Sequence, residues 1–133
     1  MTSDLKQKQS AFGKYDIRGV YPKVVDEELV YLISKALAEK KFNKERVIVG
    51  MDARESSPAL YKEVIRGLHE GGVEVLEGGS MTTPMLYFLV NDLNLGGGII
   101  VTASHNPKEY NGLKMVGRNA DNISGAEVLD LIR

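Results

Sequence analysis

The chain has 133 residues, which is enough for one domain with a buried core and too few for two ordinary domains. Seventeen basic residues against eighteen acidic ones give a net charge of −1, and this balance argues against nucleic acid or an anionic membrane as a partner. The absence of cysteine excludes disulfides and thiolate metal sites, and it fits the reducing cytoplasm, where we expect the protein to act.

The first part of the chain changes from an irregular to a helical pattern. Residues 1–10 are polar and lack periodicity, so we predict a flexible lead there and a single domain over residues 11–133. Glycines and Pro22 bound residues 11–22, which indicates a short strand or an extended loop. Asp26 is a predicted N-cap, because apolar residues then recur along one face of a helix. These residues are Leu29, Ile33, Ala36 and Leu37.

A strand followed by a helix is predicted twice in the middle of the chain. The apolar run over residues 47–52 is typical of a buried parallel strand. Ser57 and the proline after it predict the N-cap and the first position of the next helix. Residues 73–77 form the following predicted strand, closed by a pair of glycines. The sequence Thr83-Pro84 then repeats the same type of helix start.

The last part of the chain contains two strands that are too close for a crossover helix. They are predicted over residues 99–101 and 112–116, so the second should be antiparallel to the first. Residues 124–127 match a capping box and predict a final helix, whose apolar pattern continues to the last residue. Strands alternating with helices of roughly 10 to 15 residues predict an α/β fold with a mixed, mostly parallel sheet. We also expect the chain to be one domain of a larger protein.

Three polar side chains follow the apolar run of residues 99–101. They are Ser104, His105 and Asn106, and Pro107 biases Asn106 away from helical dihedral angles. We therefore predict a loop at the carboxyl end of a strand, where α/β folds place their chemistry. Adjacent residues of an extended segment point in opposite directions, so Ser104 and His105 make a poor catalytic dyad. The Gly-x-Ser-x-Gly elbow of hydrolases is also absent.

Two hypotheses for Ser104 stay open on chemical grounds alone. A serine that accepts and donates a phosphoryl group needs positive charge and amide donors, which Arg18, Lys114 and nearby backbone amides could supply. Alternatively, Ser104 and Asn106 only satisfy a turn through hydrogen bonds to the backbone. Arg18 has a similar ambiguity: taken alone, a surface arginine paired with Asp16 is favoured over an arginine that binds phosphate.

The remaining polar residues give weaker signals. For Asp52 and Arg54, which follow the second predicted strand, a local ion pair or a helix cap is favoured over a catalytic role. No histidine or aspartate pair has the spacing of metal ligands, so the chain alone is not expected to hold a divalent cation. The glycine clusters match neither a dinucleotide-binding nor a P-loop pattern.

Three motifs together resemble the α-D-phosphohexomutase family. Residues 102–107 (Thr-Ala-Ser-His-Asn-Pro) and 110–114 (Tyr-Asn-Gly-Leu-Lys) are similar to its phosphoserine loop. Residues 12–19 resemble its N-terminal signature, and residues 50–54 resemble a third sequence element of the family. The match extends over residues 12–116 and corresponds to the first of the family's four domains. It implies a three-layer α/β/α sandwich with a mixed sheet.

The resemblance also implies a reaction. Ser104 would carry a phosphoryl group, pass it to a hexose 1- or 6-phosphate of mannose or glucose, and recover the other phosphoryl group from the bisphosphorylated intermediate. Hexose 1,6-bisphosphate would act as an activator. Mg²⁺ would contact Ser104 through its phosphate, with its other ligands in the second domain. The phosphosugar substrate and the remaining domains of the same enzyme are therefore the implied partners.

Five further residues match positions of the family. Arg18, Lys114 and His105 match positions assigned to catalysis, with Arg18 and Lys114 implicated in acid–base work and charge stabilisation. Tyr15 matches a position near the substrate, and Asn106, which flanks the phosphoserine, is the other residue expected to bind substrate or phosphate. Cations and donors of this kind suit the negative charge that spreads over a phosphoryl group during its transfer.

The N-terminal signature departs from the commonest family pattern. The residues Lys14-Tyr15-Asp16 stand where Thr-Asp-Gly is usual. The resulting Tyr-Asp-Ile-Arg-Gly sequence is similar to the phosphomannomutase/phosphoglucomutase branch. A phosphoglucosamine mutase domain is the first alternative, and a stand-alone anion-binding or interaction module with a non-catalytic Ser104 is the second. The family's sugar-selecting loop lies in another domain, so the isolated chain should be inactive.

Overall fold

The structure is a computed structural model that describes residues 8–133, and a six-stranded sheet forms its middle layer. The strands are β1 Ile17–Val20, β2 Val47–Met51, β3 Val75–Ser80, β4 Gly97–Val101, β5 Tyr110–Val116 and β6 Asn122–Ile123. The order across the sheet is β1-β5-β4-β2-β3, and β6 pairs with β5 beyond the end of β1. β2 is parallel to β3 and β4, whereas β5 is antiparallel to β1, β4 and β6. Among the described strands only β5 runs against the others, which confirms the mixed, mostly parallel sheet.

Helices cover both faces of the sheet. Within residues 8–133 they are α1 Glu27–Lys40, α2 Ser57–Glu70, α3 Thr83–Asp92 and α4 Gly125–Ile132. Val49 and Ile99 point into a core shared with α1, α2 and α4, and Ile48 and Ile100 point to the other face, where they pack on Leu86 of α3. Neighbouring residues of a strand face opposite ways, so each strand supplies both cores. The three-layer α/β/α sandwich is confirmed.

Two helix starts differ from the prediction by one residue. Ser56 and not Ser57 occupies the N-cap position of α2, and Thr82 and not Thr83 caps α3. Both prolines still lie in the first turn, where their missing N–H costs nothing. The Ser57 hydroxyl is buried and donates to Oδ1 of Asp52 at 2.6 Å instead of capping the helix. That tertiary bond is invisible in the local sequence.

Other boundaries agree more closely. Asp26 and Ser124 are confirmed as N-caps, because each side chain accepts a hydrogen bond from a backbone N–H three residues on. β1 lies inside the segment predicted as a strand or loop. β3 continues three residues past its predicted end, through a bulge opposite β2 in which Gly79 has a φ of 69°. β6 was not predicted.

The predicted flexible lead over residues 1–10 falls mainly outside the described residues, and Gln9–Ala11 at its end forms a single 3-10 turn. None of the helices in residues 8–133 is long and apolar enough to cross a lipid bilayer.

Candidate functional site

A tight loop joins β4 to β5 and holds Ser104 at the carboxyl end of β4. The backbone N–H of Ser104 donates to Oγ1 of Thr102 at 3.0 Å, and that of Asn106 donates to the carbonyl of Ala103 at 3.0 Å. Ser104 has a φ of 55°, in the left-handed region, which costs a non-glycine residue roughly 1–2 kcal/mol. Such strain persists where the surroundings fix the backbone, and it is common at functional sites.

The guanidinium group of Arg54 binds this loop through four carbonyl oxygens. Nη2 donates to the carbonyls of Ser104 and Asn106, both at 2.8 Å. Nη1 donates to the carbonyls of Pro107 at 2.7 Å and Tyr110 at 3.1 Å. Only 13% of the Arg54 side chain is exposed, so these bonds are shielded from competing water. Arg54 thus holds the loop that carries Ser104.

Asp52 holds Arg54 in place. Its Oδ2 accepts a hydrogen bond from Nε of Arg54 at 3.2 Å, and its Oδ1 accepts from the hydroxyl of Ser57 at 2.6 Å. The predicted local ion pair between Asp52 and Arg54 is therefore confirmed. Burial alone raises the pKa of Asp52, but hydrogen bonds from Ser57, Thr102 and the Arg54 N–H, with the charge of Arg54, outweigh burial and lower that pKa overall.

Because the pKa of Asp52 is lowered in the folded protein, we predict that the folded state loses stability at acid pH. A carboxylate whose pKa falls on folding is stabilising above its unfolded-state pKa, about 4, and loses that contribution as the pH drops through its folded-state pKa. We expect the wild type to lose its advantage in Tm over Asp52→Asn as the pH falls below about 4. Thermal unfolding of both proteins over this range checks it, and a Tm difference that stays constant with pH would contradict it.

Arg18 reaches the same loop from β1. Its Nη1 donates to Oδ1 of Asn106 at 2.5 Å, and its Nη2 lies 2.7 Å from Oδ2 of Asp16. This Asp16 oxygen is buried and receives no well-directed hydrogen bond in the described part of the chain, so the charge of Arg18 is what compensates it. The two hypotheses for Arg18 are thus compatible. It pairs with Asp16 and also contacts the loop of Ser104.

Lys114 lies on the same face of the sheet as Arg18. It pairs with Ile100 of β4, while Arg18 pairs with Gly112, two residues before Lys114 on β5. The intervening Leu113 points into the core with α1 and α2, so Arg18 and Lys114 both face the side of α3. No hydrogen bond or ion pair joins Lys114 to Ser104 within residues 8–133.

His105 and Tyr15 are exposed to solvent. His105 follows Ser104 in the loop, and Tyr15, before β1, has 60% of its surface exposed. The structure therefore brings Ser104, Asn106 and Arg18 together and places Lys114 on the same face. The roles predicted for His105 and Tyr15 stay predictions.

A cleft lies next to the loop. Its volume is about 980 Å³, and its lining includes Asp52, Arg54, Asn106 and Lys108 but not Ser104, Arg18 or Lys114. If the candidate site were chosen by volume alone, this cleft would be selected. The left-handed backbone of Ser104 and the contact of Arg18 with Asn106 instead favour the end of β4 as the candidate site.

Comparison with known proteins identifies the family to which the chain belongs. A family model described as phosphoglucomutase/phosphomannomutase, alpha/beta/alpha domain I, matches residues 9–132. The chain belongs to the phosphoglucomutase/phosphomannomutase family. The family resemblance read from three motifs is thereby confirmed, and the match is to the N-terminal domain of these phosphohexomutases.

Individual relatives and solved structures of the family give the same result. The chain is 41% identical over 123 residues to a phosphoglucomutase of Neisseria meningitidis serogroup B, covering 91% of this chain and 26% of the relative. It is 43% identical over 117 residues to a phosphomannomutase of Escherichia coli, covering 87% and 25%. A phosphoglucomutase/phosphomannomutase family protein from Burkholderia thailandensis superposes with a TM-score of 0.82 at 34% identity, covering 92% and 29%. The chain thus spans about a quarter of the length of the Neisseria meningitidis and Escherichia coli relatives.

The contacts of Arg54 with the loop are the feature of this phosphohexomutase domain that was not predicted from the sequence. Its partners in the loop lie 50 or more residues away, so no local spacing reveals them. Two signals were present. Residues 50–54 resemble an element of the family. Arg54 also follows β2, and parallel neighbours such as β2 and β4 end at the same edge of a sheet.

Proposed function

We propose that this chain is the phosphoserine-carrying domain of a phosphohexomutase that interconverts the 1-phosphate and 6-phosphate of mannose or glucose. The observation that carries the proposal is the loop after β4, in which Ser104 is held in a left-handed conformation while Arg18 bonds to Asn106. The relatives named above are phosphoglucomutases and phosphomannomutases, which favours this branch over phosphoglucosamine mutases.

The proposed reaction exchanges one P–O bond for another at Ser104. The bond from phosphorus to Oγ of Ser104 breaks as a sugar hydroxyl attacks, so the sugar gains a phosphoryl group and loses a proton, and Oγ gains a proton. The bisphosphate then turns over and the steps run in reverse with its other phosphate. Arg18 has a side chain that is 41% exposed and can stabilise the transferring charge, and Lys114 adds a second cation on this face.

Other parts of the enzyme are proposed to complete the site. Within residues 8–133 no three acidic or histidine side chains come together to hold a metal ion. We therefore assign to this chain only one Mg²⁺ ligand, a phosphate on Ser104, and place the others in further domains of the same polypeptide. Bound Mg²⁺ would neutralise phosphate charge. The isolated chain should therefore be inactive. In the complete enzyme, hexose 1,6-bisphosphate would be the activator that reloads Ser104. The enzyme would act in the cytoplasm.

Intact-mass spectrometry tests this proposal. Incubating the complete gene product with glucose 1,6-bisphosphate is expected to add one phosphoryl group, because the bisphosphate should load Ser104. The Ser104→Ala variant should gain none. Ser56→Ala is the matched control, since Ser56 also bears a hydroxyl near the loop and accepts a hydrogen bond from Asn111. It should load normally.

The outcomes separate the competing functions. Loading of Ser104→Ala to the wild-type level would contradict the assignment of the phosphoryl group to this serine. A wild type that binds the bisphosphate but never gains a phosphoryl group would favour an anion-binding module.

A further inference from the structure

All five N–H donors of Arg54 are committed to the protein. Four bind carbonyls of the loop and the fifth binds Asp52, and a guanidinium group has five donors in total. Arg54 therefore has none left for a substrate phosphate. Arg18 differs, since 41% of its side chain is exposed and it makes two contacts with side chains.

Because all of its N–H donors are bound to the protein, we infer that Arg54 is a positioning residue for phosphoryl transfer. It sets the geometry of the Ser104 loop without contacting the substrate. The inference rests on the function proposed above for Ser104. The left-handed backbone of Ser104 is unfavourable in isolation, and the bond from Nη2 of Arg54 to the Ser104 carbonyl helps to fix it.

The bonds to Arg54 also orient amide groups of the loop. The carbonyl of Ser104 and the N–H of His105 belong to one trans peptide unit, so they point in opposite directions. Because the carbonyl faces Arg54, the N–H of His105 faces away from it. The same holds for the Pro107 carbonyl and the N–H of Lys108. Neither N–H takes part in a backbone hydrogen bond within residues 8–133, so both are available to an anion.

Lysine cannot reproduce this arrangement. An ammonium group presents three donors from a single atom, whereas the planar fork of Arg54 spans carbonyls from Ser104 to Tyr110. Lysine would still place a positive charge beside Asp52. Arg54→Lys therefore removes the fork and keeps the charge. It is more informative than Arg54→Ala, which also removes the positive charge beside Asp52.

The rate at which glucose 1,6-bisphosphate loads Ser104 in the complete gene product tests the inference. Arg54→Lys is expected to lower the maximal loading rate about 100-fold, since a displacement of the reacting group by about 1 Å has that effect. The bisphosphate concentration for half-maximal loading should change by less than about twofold, because no substrate contact is lost. Arg66→Lys is the matched control, because within residues 8–133 the hydrogen bonds of Arg66 go to Glu63 and Glu70 on α2, and its guanidinium also lies over the ring of Tyr31, away from the loop. It should load like the wild type.

Hydrogen exchange provides a second readout that does not depend on phosphorylation. The amides of Asn106 and Tyr110 are hydrogen-bonded within the loop and should exchange faster in Arg54→Lys, while those of β2 and β4 stay protected. An unchanged loading rate, or a loss confined to the half-maximal concentration, would overturn the positioning role. If the wild type takes up no phosphoryl group, the proposed function fails, and the exchange data alone then decide whether Arg54 holds the loop.

Discussion

Replacing Arg18 by lysine is expected to lower the turnover of the complete enzyme about 1,000-fold, the effect typical of an arginine that stabilises a transferring phosphoryl group. An ammonium group can remain beside Asp16, but it cannot also reach Oδ1 of Asn106 and present a fork to the phosphate. Measuring kcat and Tm for the wild type and Arg18→Lys checks this expectation. Tm should change little, because the charge that compensates Asp16 is kept.

Arg18→Ala provides the contrast. It should lose at least as much turnover and also some stability, because Asp16 is only 4% exposed and would be left as a buried carboxylate without its cation. A cost of about 1–3 kcal/mol in the free energy of unfolding is expected for such an uncompensated group. Full turnover of Arg18→Lys would contradict a role in transfer. A Tm for Arg18→Lys as low as that of Arg18→Ala would instead make Arg18 mainly structural.

Gly112→Ala is expected to cause a large loss of stability. A Cβ at this position would lie 1.9 Å from the carbonyl oxygen of Ile17 and 2.8 Å from Cα of Arg18, both of them backbone atoms of β1. Backbone cannot rotate out of the way like a side chain, so β1 would have to move. The expected cost is about 3 kcal/mol or more in the free energy of unfolding. Urea denaturation measures it.

Gly117→Ala is the matched control for that experiment. Gly117 follows β5, has a φ of −94°, and a Cβ there would meet its nearest neighbour, the carbonyl oxygen of Asp121, at 4.0 Å. It should therefore be close to neutral. Equal losses in the two variants would show that the close approach of β1 to Gly112 does not control stability. A destabilised Gly112→Ala should also lose activity, because β1 carries Arg18.

The fold was largely predictable because its signals are local. Asp26 caps α1 through a backbone N–H three residues away, and the short connection before β5 allows only an antiparallel partner. The assignment of Ser57 as the N-cap of α2 was wrong by one residue, because its hydroxyl bonds to Asp52 across a turn. Propensity and spacing carry no information on such a tertiary bond.

The site was predictable to the extent that its residues lie in motifs. Ser104 and Asn106 are neighbours in sequence, and Arg18 was identified from its own signature. Arg54 also lies in a motif, residues 50–54, but its hydrogen bonds to the loop were not predictable, since they join a side chain to backbone carbonyls 50 or more residues along the chain. Carbonyls belong to every residue, so the sequence does not reveal which of them an arginine will bind.

The position of the phosphoryl group tests the central claim most directly. After loading the complete gene product with glucose 1,6-bisphosphate, fragmentation mass spectrometry of the proteolytic peptides can assign the modified residue. The phosphoryl group is expected on Ser104 alone. A phosphoryl group on Thr102 or on another hydroxyl, with Ser104 unmodified, would contradict the account.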